Sequence, residues 1–433
     1  MELYAKRISL IGSENAFKIG PHIQGLERGG NRVIKMNLGE PDFDAPEFIK
    51  TELKRQIDLN NTHYTDPQGI LSFRQTIAEQ VARTRGIAVT PQQVVVFPGA
   101  KPPIGFAQQV YLDPGDEVIY PSPGFPIYES FIRYFGGVPR PLLLQEDKGF
   151  SFDGADLARL LSPKTKLIFL NFPSNPTGGV ASREQIADIA TVIRSRCDDS
   201  VRVYSDEIYE AILFDDHRSH SIASCEGMQQ RTIIVSGHSK TFAWTGGRIG
   251  YAVLPSPQEA DVFKNLNINY FSCVPPYNQE AARVAMAHPA MPEAVGGMVA
   301  AFKKRRDAVV ARLNQIEGIT CQLPKGAFYV FPNIAAACDR LGVLKAYAAL
   351  DPQVKAATSP STIFQMFLLY EYRVACMDRP SFGRIGAENQ HFLRLSIATS
   401  LEDLLEGLER LAAAVQDRKG LAHFMTHRRE HYA

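Results

Sequence analysis

Three polar clusters follow one another along the chain in an order that could support chemistry. NFPSNPTGG (Asn171 to Gly179) offers the Asn175 amide just after an apolar run, and SDEIY (Ser205 to Tyr209) offers Asp206 and Tyr209 at and beyond the end of another. SGHSKTFAWTGGRIGY (Ser236 to Tyr251) places Lys240 after a third run and a short Ser/Gly turn, with Arg248 eight residues further on. A lone lysine in such a loop is more often a solvated amine than a catalytic one. Asn-Pro and Asp near strand ends are common turn chemistry when taken singly. The succession of an amide, a carboxylate and an amine, each close to a strand end, is the informative feature.

Such groups meet only if their strands share a sheet. VVVF (Val94 to Phe97), EVIY (Glu117 to Tyr120), KLIFLNF (Lys166 to Phe172), RVYSD (Arg202 to Asp206), TIIVS (Thr232 to Ser236) and RIGYAVL (Arg248 to Leu254) are strand candidates. They alternate with amphipathic stretches such as SFRQTIAEQVARTRG, which Gly86 stops. This order predicts an α/β fold with a mostly parallel sheet, whose ligands sit beyond the carboxyl ends of the strands. After FYVFPN (Phe328 to Asn333) the pattern becomes Ala-rich helix, an irregular stretch around Ala356 to Ser361, and a further strand candidate, HFLRLSIA. We expect residues 51–332 to form a large domain, and residues 1–50 with 333–433 to form a smaller α+β domain with an N-terminal arm. The apolar IFQMFLLYEY within the second part reads as a core helix.

Bulk composition excludes several classes. At 433 residues, 45% hydrophobic and 21% charged, the chain supports two packed lobes and resembles neither a disordered nor a fibrous protein. Forty-seven basic and forty-six acidic side chains provide no general field for nucleic acid or an anionic membrane. The six cysteines (Cys197, Cys225, Cys273, Cys321, Cys338, Cys376) are widely spaced and read as reduced thiols. With no apolar leader, no run long enough to span a bilayer and no winged-helix segment ahead of the α/β region, we expect a cytoplasmic enzyme without nucleic-acid or membrane partners.

In chain order, NLGEPDFDAP (Asn37 to Pro46), HYTDPQG (His63 to Gly69), PGAKP (Pro98 to Pro102), DPGDEVIYPSPGFPIYES (Asp113 to Ser130), the three clusters above, PKGAFYVFPN (Pro324 to Asn333) and FLRLSIATS (Phe392 to Ser400) complete a pattern. Nearly end to end, it resembles the fold-type I, class I/II pyridoxal-phosphate-dependent aminotransferases, in particular their bacterial aspartate-aminotransferase-like branch. The resemblance implies a homodimer with shared active sites. It also implies transfer of the amino group of an L-amino acid to a 2-oxo acid through pyridoxamine phosphate, with aspartate and 2-oxoglutarate as the default pair.

Carried over by position, the resemblance makes Lys240 the Schiff-base lysine and proton shuttle, a task that needs a neutral amine. Asp206 would face the pyridine nitrogen, Tyr209 and Asn175 the phenolic oxygen, and Phe125 the ring face. Gly99, Ala100 and Lys101, at a helix start, would bind the phosphate together with Ser239 and Arg248. Tyr64 resembles the tyrosine that reaches the neighbouring subunit's phosphate. Arg394 would grip the substrate α-carboxylate bidentately, with Asn175 and the Gly39 backbone N–H beside it.

The chain also departs from the pattern. Relatives read TGWRIGY where this chain has Gly247, and its only tryptophan is Trp244; His238 replaces a usual Phe. A segment commonly resembling VxPGxxFG is CMDRPSFG, which would bring Asp378 and Arg379 to the cleft entrance. Compensated repacking and altered specificity are both open readings of these changes. We do not read Arg379 as a clamp for a side-chain carboxylate. His423, His427 and His431, spaced by four, could share a helix face, but no carboxylate or cysteine completes a metal site, and the segment reads as a solvated tail. Alternatives to transamination are another carbanion reaction on the same scaffold (β-elimination, decarboxylation or oxidation) or a non-catalytic, cofactor-binding sensor.

Overall fold

Seven strands, Val94–Phe97 (β1), Glu117–Ser122 (β2), Val138–Leu143 (β3), Thr165–Asn171 (β4), Arg202–Asp206 (β5), Thr232–Gly237 (β6) and Gly250–Val253 (β7), form the central sheet of the computed structural model, which describes residues 3–12 and 15–432. Their order is β1-β7-β6-β5-β4-β2-β3, all parallel except β7, which runs antiparallel to both neighbours. The valines and phenylalanine of β1 are all 0% exposed, as expected of a β-branched run covered on both faces. β3 was not foreseen. Its sequence, VPRPLL, carries two prolines that cannot donate to a ladder; it survives because it lies at the sheet edge and is only partly buried.

Helix Leu71–Arg85 buries Phe73, Ile77, Ala78 and Val81 on one stripe. Gly86 ends it at φ +65°, where its N–H reaches the Ala82 carbonyl; a glycine adopts this left-handed geometry without a Cβ penalty. A second, antiparallel sheet joins Met377–Asp378, Leu393–Ser396 and Tyr329–Val330. Helix Pro360–Tyr372 lies beneath this region with Ile363, Phe364, Phe367, Leu368 and Leu369 all at 0% exposure, so the apolar run is indeed a core helix. The expected irregular stretch shrinks to Thr358 and Ser359, because Pro352–Ala357 is helical and Ser359 caps the helix that follows.

The C-terminal segment is not a solvated tail. Leu421, Phe424 and Tyr432 are buried, with Phe424 packed against Phe367. His423 and His427 stack on each other in helix Arg418–His427, whereas His431 stacks on Tyr370 with ring centroids 3.8 Å apart. The three imidazoles therefore do not share one face. Among the described residues, no helix is long and apolar enough to cross a membrane.

Candidate active site

Strands β4, β5 and β6 lie side by side and parallel, so their carboxyl ends open on one edge; Asn171 pairs with Asp206, and Asp206 with Val235. Beyond that edge, β4 turns into the loop holding Asn175, β5 ends at Asp206, and β6 runs into the one-turn helix His238–Thr241 that carries Ser239 and Lys240. β1 leads through Gly99, Ala100 and Lys101 into helix Pro102–Tyr111, whose first turn contains two prolines preset for a helix start. Together these ends enclose a cavity of about 550 Å³, within the usual range for a cofactor site. Gly39, Ala100, Lys101, Phe125, Asn175, Asp206, Tyr209, Ser239, Lys240, Arg248 and Arg394 line it. Tyr64 does not, being 88% exposed on its own chain.

Asp206 is the buried carboxyl group of the site. Burial raises its carboxyl to about 6, opposed by a hydrogen bond from the Tyr128 hydroxyl to Oδ2 at 2.5 Å and by the Ile208 backbone N–H. Asn171 braces the turn, donating from Nδ2 to the Asp206 carbonyl and accepting the Asn175 N–H. Lys240 Nζ donates to the Gly39 carbonyl at 2.5 Å and lies 5.8 Å from the Phe328 ring. The Tyr209 hydroxyl is 2.8 Å from that of Tyr329; burial first, and this neighbour second, hold Tyr209 well above the usual phenol range, so it remains a donor.

The loop after β1 passes tightly against Arg248. Gly99 has φ +91°, and a Cβ there would lie 2.1 Å from Arg248 Nη2, so only glycine permits this approach of backbone to guanidinium. Arg248 Nη1 donates to the Thr245 carbonyl. Arg394 comes from the second sheet: Nη1 donates to Asn175 Oδ1 at 3.1 Å and Nη2 to the Asn37 carbonyl, and its guanidinium lies 4.5 Å from the Tyr329 ring and 4.8 Å from that of Phe382. The donor set suits a phosphorylated pyridine aldehyde. It has a buried carboxylate for the ring nitrogen, a primary amine for the aldehyde, an aromatic face in Phe125, and a glycine-cradled guanidinium at a helix start for the phosphate.

None of the three departures lines the cavity. The Trp244 indole occupies the space over Gly247, where a Cβ would meet three indole atoms at 2.1 to 2.6 Å. His238 is 1% exposed, stacked on Phe242 and edge-on to Phe73, with Nε2 donating to the Ala282 carbonyl at 3.0 Å. Burial lowers its pKa to about 4, so it packs as a neutral ring. Asp378 and Arg379 are not at the cleft entrance. Both are buried, Arg379 completely, because hydrogen bonds to Ser122, Gly383 and Gln390 draw the guanidinium inward.

Sequence reasoning overlooked Tyr128, Asn171, Tyr329, Asn37 and Phe382. All lie within or beside motifs that were legible, Phe382 in CMDRPSFG, but their contacts join residues as far apart as 357 positions, as in Arg394 with Asn37.

Residues 31–411 match the family described as aminotransferase class I and II. The chain is 34% identical over 414 residues to a probable aspartate/prephenate aminotransferase of Aquifex aeolicus, covering 95% of this chain and 98% of that protein. It is 32% identical over 419 residues to aromatic-amino-acid aminotransferase 2 of Thermococcus litoralis, with the same coverage of each. The crystal structure of the aspartate aminotransferase from Rhizobium meliloti superposes with a TM-score of 0.86 at 33% identity, covering 96% of this chain and 99% of that one.

Proposed function

The chain belongs to the class I and II aminotransferases, and from that membership we propose that it exchanges an amino group between the dicarboxylic pair aspartate and 2-oxoglutarate. As a pyridoxal-phosphate-dependent transaminase, it acts on an L-amino acid and a 2-oxo acid. The convergence of Lys240, Asp206 and Arg394 on one cavity carries the reading of the site. Among the cavity's cations, Lys240 is assigned to the cofactor, Arg248 to its phosphate and Arg394 to the α-carboxylate.

When bound, pyridoxal phosphate supplies an electron-accepting ring. Asp206, its carboxylate aimed by Tyr128, would hold the proton at the ring nitrogen. Tyr209 and Asn175 would hold the phenolic oxygen, and Phe125 would cover the ring face. The backbone N–H groups of Ala100 and Lys101, the Ser239 hydroxyl and Arg248 would hold the phosphate, with Tyr64 of the partner subunit; the Gly99 N–H, expected to join them, donates instead to the Phe97 carbonyl at 2.7 Å, and Gly99 serves by letting the loop pass close to Arg248. Arg394 and the Gly39 N–H orient the substrate's α-carboxylate, so that Lys240 Nζ, once freed and neutral, can remove the proton from the α-carbon.

A homodimer is supported by the exposure of Tyr64 and by an N-terminal arm whose Leu3, Tyr4, Ile8 and Leu10 are exposed on the single chain. We read the cavity as lying between domains 51–332 and 1–50 plus 333–433. Six unpaired cysteines fit a cytoplasmic setting. The test is a half-reaction screen of the purified holoenzyme, following the lysine-bound cofactor band under air and under nitrogen. Aspartate should discharge the band and 2-oxoglutarate restore it in either atmosphere. Discharge by phenylalanine but not aspartate would overturn the dicarboxylic reading.

A further inference from the structure

Two walls near the substrate end of the cavity belong to different sheets. Phe125 follows β2 of the central sheet. Phe382 closes the short 3-10 turn Arg379–Phe382 that leaves the second sheet, and its ring lies 4.8 Å from the Arg394 guanidinium.

Arg379 ties these walls together. Its side chain is 0% exposed, and its donors reach four neutral acceptors. Nε donates to Gln390 Oε1 at 2.8 Å, Nη1 to the Gly383 carbonyl at 2.9 Å, and Nη2 to Ser122 Oγ at 3.0 Å and the Gly386 carbonyl at 3.4 Å. Ser122 ends β2, and its hydroxyl donates onward to the Ile385 carbonyl at 3.0 Å. The Gly124 N–H, one residue before Phe125, donates to the Phe382 carbonyl at 2.9 Å. Asp378 anchors the same turn from behind, accepting the Ser381 N–H at 3.2 Å and the Thr362 hydroxyl at 2.5 Å. A planar fork with donors in several fixed directions can serve such divergent acceptors, whereas a lysine ammonium on a flexible stem cannot. Burying a guanidinium is costly, and loss of its reach would leave several buried acceptors unmet.

We infer that Arg379 is a positioning residue for substrate carboxylate binding: it fixes Phe382 against Arg394 and fixes both relative to Phe125, holding the carboxylate grip at a set distance from the cofactor-stacking wall. The Asp378-Arg379 pair thus acts on the carboxylate grip from inside the wall, without touching substrate. This rests on the reading of Arg394 as the α-carboxylate grip.

Steady-state kinetics of Arg379→Lys in both half-reactions provide the test. We expect KM for the amino acid and for the 2-oxo acid to rise about tenfold, with kcat within about twofold of wild type and the lysine-bound cofactor band unmoved. Phe382→Leu should raise KM similarly, and the double variant should do no worse than the larger single effect. An unchanged KM in Arg379→Lys, even with a lowered melting temperature, would overturn the inference, as would KM effects that multiply in the double variant. If Arg379→Lys does not accumulate as folded protein, Ser122→Ala, which removes one acceptor, should raise KM about threefold. An unchanged KM there overturns the inference equally. Arg394→Lys tests the underlying reading by itself: a KM rise of at least about tenfold supports it, and a wild-type KM would show that the carboxylate assignment had failed first.

Discussion

The one-turn helix His238–Thr241 has two sides built on different terms. Ser239 and Lys240 face a cavity in which buried polar groups are paired in fixed directions: Asp206 with Tyr128, Tyr209 with Tyr329, Arg394 with Asn175. His238 and the adjoining Phe242 and Trp244 face a packed region in which rings fill volume, and two of the three departures from the family pattern, His238 and Gly247, fall there. The contrast separates two kinds of constraint. In the packed region, the Trp244 indole fills the space over Gly247 that a side chain at position 247 would otherwise take, because close packing asks only that space be filled without strain. In the cavity, charge and direction are required at one atom, and no neighbour can supply them.

Breaking the cavity side should give the largest effect. Lys240→Ala is expected to lower turnover by more than about a thousandfold while the protein still binds cofactor without the lysine-bound absorbance band. Single-turnover kinetics near the wild-type rate would remove Lys240 from the chemistry.

Next in size is the pH dependence of cofactor-free protein. Asp206 has a folded-state pKa of about 6, above its unfolded value, so its carboxylate is penalised in the fold as pH rises from about 4 through 6, and the penalty is complete above that. Asp206→Asn lacks the penalty and can still accept from Tyr128. Cofactor-free Asp206→Asn should therefore be more stable than wild type by about 2 to 3 kcal/mol at pH 7 and equal to it below pH 4, as urea titrations would measure. Equal stability at both values would mean that Asp206 is not a desolvated carboxylate.

The packed side should show the opposite sign. His238 has a folded-state pKa of about 4, below its unfolded value, so wild-type protein loses stability as pH falls from about 6.5 towards 4. His238→Phe should gain about 2 kcal/mol over wild type at pH 5, gain far less at pH 8, and leave KM unchanged. A changed KM would draw His238 into the cavity's machinery and weaken the contrast. The smallest effect is expected of Gly247→Ala, a loss of about 1 kcal/mol in wild type that largely disappears in a Trp244→Ala background. Additive losses in melting temperature would show that the indole does not occupy that space.

Legibility followed locality. β1, β6 and helix Leu71–Arg85 could be read because β-branched runs and a periodic apolar stripe, ended by Gly86, are properties of neighbouring residues. β3 could not, since an edge position tolerates prolines and leaves no apolar signature. The cavity residues were legible as motifs in order, yet the sequence could not show that Asp206 leans on Tyr128, that Arg379 turns inward, or that His431 stacks on Tyr370.

By itself, the sequence determined the chemical inventory and its order: an amine, a carboxylate, an amide and two arginines, each attached to an element whose type local residues dictate. Only the tertiary structure decided which of these groups lose water, which neighbours they bond and which departures are absorbed by packing. Burial and hydrogen-bond direction depend on side chains brought together from hundreds of residues apart, and no local pattern encodes that meeting.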